Sequence, residues 1–178
     1  MAGYTPSEIS DILITQEEIA RRVCELGEQL SRDYAGKDLV VIGVLTGAVT
    51  FVTDLIRQIY LPLELDFVCL SSYGHATKSS GEVRFLKDLS HPVQDKHLLI
   101  VEDIIDTGLT LRYLLETLAS RQPASLECCV LLDKPSRRLT EVPVRYRGFE
   151  IEDRYVVGYG LDSAGLFRNL PCIGVLQS

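Results

Sequence analysis

The sequence predicts an α/β protein with a mostly parallel central sheet flanked by helices. Three observations lead there. Apolar strand-like runs alternate three times with stretches of helical spacing through the middle of the chain. The run Leu39–Leu45 (LVVIGVL) is continuous and rich in β-branched residues, as expected of a parallel strand buried on both faces. The unusual segments, Thr46-Gly47, residues 71–81, residues 102–110 and Lys134, each follow an apolar run. They therefore gather at the carboxyl ends of the strands, where open α/β sheets bind ligands.

In chain order, Thr15 is placed to cap a helix, with Glu18 completing a capping box. Ile19, Val23, Leu26 and Leu30 repeat at helical spacing, so this helix runs to about Tyr34 and ends before Gly36. Thr46-Gly47 breaks the strand Leu39–Leu45. Residues 48–60 then read as a helix with Phe51, Val52, Leu55, Ile56 and Ile59 on its apolar side, and Pro62 closes the unit. Residues 63–70 are the second strand. Residues 71–81 (SSYGHATKSSG) are a polar, small-residue loop, and residues 83–89 return as a strand, making a long hairpin. After the turn at His91-Pro92, residues 98–102 form the third core strand and residues 110–120 the third helix. Residues 127–132 form another strand, residues 135–138 a basic turn, and residues 148–151 and 155–158 short strands around Glu152-Asp153. One more apolar run covers 170–176.

The length of 178 residues suits one compact domain spanning 1–178, with no internal repeat or linker. Charged residues at 24% and hydrophobic ones at 46% fit a soluble globular chain. A net charge of −7 without a long basic run argues against nucleic-acid partners. No apolar stretch reaches the ~18 residues of a membrane span, so no membrane association is expected. Cys24, Cys69, Cys128, Cys129 and Cys172 show no C-x-x-C spacing and read as reduced thiols. With no signal-peptide pattern at the start, the expected location is cytoplasmic.

Residues 101–111 read V-E-D-I-I-D-T-G-L-T-L, which is a strand end, a short acidic turn and a helix start. A helix start offers backbone N–H groups and a positive dipole end to an anion. Glu102, Asp103 and Asp106 would repel a phosphate placed there unless they face sugar hydroxyls, a metal ion or a proton to be taken. Acids and threonine are common at helix starts in any protein. Here, however, two acids directly follow an apolar strand, and Asp-Thr-Gly-x-Thr comes two residues later, which points to a site.

This segment resembles the phosphoribosyl-diphosphate (PRPP) binding motif of type I phosphoribosyltransferases, more specifically of their hypoxanthine-guanine branch. Further pieces of that pattern follow in order: Val44-Leu45-Thr46-Gly47-Ala48, Ser72-Tyr73, Leu132-Asp133-Lys134, Phe149-Glu150-Ile151, the run 155–162 (YVVGYGLD) and Phe167-Arg168-Asn169-Leu170. The resemblance implies a core of about residues 37–160 and a small hood made by the chain ends. It implies an Mg²⁺-dependent transferase of purine salvage, moving the 5-phosphoribosyl group of PRPP to N9 of hypoxanthine or guanine. The products would be inosine or guanosine 5′-monophosphate and diphosphate. It also implies a homodimer or homotetramer.

Residue by residue, the resemblance gives Glu102 and Asp103 to the ribose hydroxyls and the metal. It gives Asp106 to the purine N7 proton as general base, and Asp106, Thr107, Gly108, Leu109 and Thr110 to the 5′-phosphate. Leu45, Thr46 and Gly47 match the diphosphate loop, which in relatives often reads Leu-Lys-Gly and contains a non-proline cis peptide. Thr46 replaces that lysine, and Leu109 stands where some relatives carry another. Ser72 and Tyr73 match the start of a lid that shields the reacting centre from water. Lys134 matches the donor to the purine O6, which favours 6-oxopurines over adenine. Tyr155 matches the stacking aromatic, and Ile104 and Val156 match positions beside the base. Asp162 matches an acid near the base and metal, and Arg168 the guanidinium that reaches the diphosphate. His75, His91 and His97 receive no role. Two alternatives stay open: a non-catalytic nucleotide-sensing RNA-binding regulator on the same fold, and an enzyme that prefers xanthine.

Overall fold

Two sheets divide the chain in this computed structural model, which describes residues 6–72 and 83–177. The elements are β1 (Ile9–Ile14), α1 (Gln16–Asp33), β2 (Leu39–Leu45), α2 (Val49–Ile56), β3 (Leu63–Ser72), β4 (Val83–Lys87) and β5 (His97–Ile105). There follow α3 (Leu109–Ala119), β6 (Ser125–Asp133), a 3-10 turn (Pro135–Arg137), β7 (Tyr146–Glu150), β8 (Val156–Val157) and β9 (Ile173–Leu176). The large sheet has the order β4-β3-β2-β5-β6-β7. Its strands are parallel except β4, which runs antiparallel to β3. The small sheet, β1-β9-β8, is antiparallel and joins the two ends of the chain, as the resemblance implies for the hood.

Alternation along the central strands fills both faces of the large sheet. Leu39 and Val41 of β2, Leu99 and Val101 of β5, and Cys129 and Leu131 of β6 pack with α1 and α2. Val40, Ile42 and Val44, Leu98 and Ile100, and Cys128 and Val130 pack with Leu111, Leu114 and Leu118 of α3. The capping box at Thr15 is present, and β2 has the expected limits.

Three expectations need correction. β5 does not end at Glu102 but continues to Ile105, so the acid pair lies within a strand and not in the turn. Pairing with β6 carries it on, with Glu102 opposite Val130 and Ile104 opposite Leu132. Helix α2 stops at Ile56 instead of residue 60. Beyond it, Gln58 and Ile59 donate to Leu55 and Ile56, closing tighter i→i+3 turns. Ile59 is still buried, which is why it looked like part of the helical face. Strand β1 was not expected at all. Its partner is the distant β9, and its residues alternate only weakly.

Candidate active site

Strands β2, β3, β5 and β6 bring their carboxyl ends to one edge of the large sheet. At the end of β2 the Leu45–Thr46 peptide is cis. The N–H of Val49 donates to Thr46 O (3.2 Å), tying the turn into α2. Gly47 has no room for a side chain, because a methyl there would overlap the Asp103 carboxylate. Gly160, at φ 103°, packs its backbone against the Gly47 carbonyl, and a methyl there would overlap that oxygen. The diphosphate-loop candidates, Asp103 and the 158–162 segment are therefore in direct contact.

Consecutive strand positions send Glu102 and Asp103 to opposite faces. Glu102 lies on the α3 side, lining a small cavity of about 120 Å³ with Ile104, Ile105, Asp106, Thr107, Gly108, Thr110 and Leu111. Its Oε2 is buried without a hydrogen-bond partner. Burial, with a further push from the Asp103 charge, raises its carboxyl well above the usual range. Asp103 lies on the Gly47 side, where its Oδ1 accepts from the Ile104 N–H at 2.9 Å. Burial pushes its pKa up to about 6; the Arg168 guanidinium pulls it down and Asp162 pushes it up.

Arg168 and Asp162, assigned to different tasks from the sequence, face each other here. Arg168 Nη2 is 2.6 Å from Asp162 Oδ1, and Nη1 donates to Gly160 O at 2.5 Å. The Gly165 N–H donates to Asp162 Oδ2 at 2.7 Å.

The stretch 106–110 forms the mouth of the cavity and the N-terminus of α3, whose cap, Gly108, has φ 83°. That positive φ suits glycine, and a methyl there would meet the Thr140 carbonyl at 2.8 Å. Thr107 O accepts from the N–H groups of Leu139 (3.0 Å) and Thr140 (3.3 Å), so the segment after the 3-10 turn braces the cradle. The side chain of Leu109 is exposed.

At the end of β6, Lys134 is only 7% exposed, a burial that an ordinary solvated lysine would not show. Its backbone N–H donates to Ile105 O (3.0 Å) and its Nζ to Arg154 O (2.6 Å), with Asp153 at 3.8 Å. Tyr155 precedes β8 and is 59% exposed, while Val156 is buried. Asp106 accepts from Arg137 Nε at 3.1 Å. Ser72 is the last residue of β3, and Tyr73 lies outside the described residues.

Sequence reasoning missed Gly160, Arg137 and Asp153. The repeated glycines of 158–160 were a signal for close backbone approach. The basic turn after Lys134 gives no sign in the sequence of which acids it meets. Asp133, at the buried end of β6, is clamped by Arg138 and by Arg147 (2.7 Å) and braces the same turn.

Among the described residues, no three His, Cys, Asp or Glu side chains form a ready-made metal cage. The site does hold a carboxylate oxygen without a partner on Glu102, and Asp103 whose charge burial disfavours. Such oxygens suit Mg²⁺, which usually keeps several waters and takes one or two carboxylates together with substrate phosphates.

The fold, a mostly parallel sheet with the candidate residues at its strand ends, is that of the type I phosphoribosyltransferases. A model of the phosphoribosyl transferase domain matches residues 10–164, and the chain belongs to that family. The chain is 49% identical over 170 residues to the hypoxanthine-guanine phosphoribosyltransferase of Bacillus subtilis, covering 96% of this chain and 94% of that one. It is 50% identical over 167 residues to the hypoxanthine phosphoribosyltransferase of Haemophilus influenzae, covering 92% and 93%. The crystal structure of a hypoxanthine phosphoribosyltransferase from Staphylococcus aureus superposes with a TM-score of 0.92 at 47% identity, covering 96% of this chain and 92% of that one.

Proposed function

We propose that this chain is a purine-salvage enzyme that moves the 5-phosphoribosyl group of PRPP to N9 of hypoxanthine or guanine, releasing diphosphate. One observation supports this most. The cradle of 106–110 and the loop of 45–47 lie on either side of the β5 end, with Glu102 and Asp103 between them. A ribose with a phosphate on C5 and a diphosphate on C1 needs that layout.

The backbone N–H groups of 107–110 and the Thr107 and Thr110 hydroxyls hold the 5′-phosphate at the start of α3. Leu45, Thr46 and Gly47 offer backbone groups to the diphosphate. Arg168 leaves Asp162 for the diphosphate, or bridges both. Glu102 and Asp103 take the ribose hydroxyls. Their negative field favours the cationic sugar of the transition state. Tyr155 stacks on the base, Ile104 and Val156 enclose it, and Lys134 donates to O6. Asp106 accepts the N7 proton as the bond to N9 forms. Ser72 and Tyr73 begin the lid. Glu102, Asp103 and Asp162 would hold Mg²⁺, which would supply charge neutralisation for the leaving diphosphate. The chain works as a homodimer or homotetramer in the cytoplasm, where its five unpaired thiols stay reduced.

Steady-state assays with PRPP, Mg²⁺ and hypoxanthine, guanine, xanthine, adenine or uracil test the reading. Turnover confined to hypoxanthine and guanine is expected. Turnover of adenine would contradict the role of Lys134. Nucleotide binding with no turnover of any base would return the chain to the regulator alternative.

A further inference from the structure

Two charged residues at the purine edge have no part in the scheme above. Arg137 Nε donates to Asp106 Oδ1 at 3.1 Å, and Arg137 Nη1 lies 3.5 Å from Asp153 Oδ2. Asp153 Oδ1 lies 3.8 Å from Lys134 Nζ. These four side chains form a row of alternating charge, Asp106–Arg137–Asp153–Lys134. Its two ends are the groups given to the purine, an acceptor for N7–H and a donor for the adjacent O6.

Stability does not account for this row. The side chains of Arg137, Asp106 and Asp153 are 49%, 42% and 51% exposed, and ion pairs that open to water contribute little. The backbone nevertheless fixes where the row lies. The Arg137 N–H donates to Lys134 O (3.2 Å), and the Lys134 N–H donates to Ile105 O beside Asp106 (3.0 Å). Arg137 and Lys134 thus ride on one short turn, which is anchored on the last residue of β5, next to the acid.

We infer that Arg137 is a positioning residue for the transfer step. This rests on the reading of Asp106 as the N7 acceptor. A guanidinium has only donors and does not give up its proton, so it takes up Oδ1 and competes for nothing else. That leaves Oδ2 as the acceptor for the N7 proton. Asp153 holds the other arm of Arg137 and, through Lys134, sets the spacing between acceptor and donor. Arg137 acts through Asp106 and needs no contact with the substrate.

A double-mutant cycle of Asp106→Asn and Arg137→Met tests this. Arg137→Met is expected to lower kcat with hypoxanthine roughly tenfold, the scale of one lost charge-assisted hydrogen bond, while KM for PRPP stays within about twofold. Arg137→Lys, which keeps the charge but not the fork, should recover part of that loss. In the Asp106→Asn background, Arg137→Met should add nothing. An equal loss in both backgrounds would overturn the proposal, as would a rise in KM for PRPP with kcat unchanged, which would make Arg137 a phosphate contact. The single variant Asp106→Asn separates the two levels. Full turnover there sinks the base assignment, and the role of Arg137 with it. A loss there combined with an inert Arg137→Met sinks only the role of Arg137.

Discussion

Lys134 carries its ammonium into the protein at only 7% exposure. A buried ammonium needs partners, and this one has the Arg154 carbonyl at 2.6 Å and Asp153 at 3.8 Å. Lys134→Ala is expected to weaken hypoxanthine binding by about one to two orders of magnitude, with PRPP binding within about twofold. Calorimetry of each ligand decides this, and equal losses would remove Lys134 from the base site. The glycines lend themselves to a similar test. Gly160→Ala would drive a methyl into the Gly47 carbonyl at a positive φ. KM for PRPP should rise several-fold or more, with less effect on the purine. An unchanged KM would mean that the loop of 45–47 does not depend on this contact. The Arg168–Asp162 pair was not readable in advance, because nothing local in the sequence tells where the turn of 163–167 brings the two side chains.

Legibility at the level of elements follows whether the signal is local. The limits of β2 and the start of α1 came from a continuous apolar run and a capping box, and both are present. Where an element depends on tertiary partners, the local sequence carries no signal: β5 is prolonged by pairing with β6, and β1 pairs with the distant β9. Thr15→Ala should remove the capping box and cost about 1 kcal/mol, read as a lower midpoint in urea. The β3–β4 hairpin offers a pH test. Burial opposes ionisation of Asp66, but the Ser90 and Phe67 N–H groups, Lys87 and the Ser90 hydroxyl hold its pKa down at about 2. A depressed carboxylate stabilises the fold above its unfolded pKa, and that support is lost as pH falls from about 4 to about 2. Asp66→Asn should therefore cost roughly 2 kcal/mol near pH 7, with the gap from the parent narrowing below about pH 4 in urea titrations. A gap independent of pH would show that shape and not charge fastens the hairpin.

For the molecule as a whole, the net charge of −7 shows that attraction of an anionic substrate is not left to the overall field. In the proposed scheme it falls to the oriented amides of one helix start and to a few placed cations. The candidates are also split between the two sheets, since the large one carries those at its strand ends and the small one carries Val156. The small sheet is built from Ile9 against Leu176 and Val156 against Val175, so the whole six-stranded sheet lies in the chain between its outermost partners. Closing so long a loop comes late in folding, because its entropy must be met before the contacts repay it. The same arithmetic runs in reverse in the native protein, and the small sheet is the unit expected to open first. Amides of β8 and β9 should exchange with solvent faster than those of β2 and β5. The joined chain ends would then unlatch many times for each global unfolding, with the six-stranded sheet still intact.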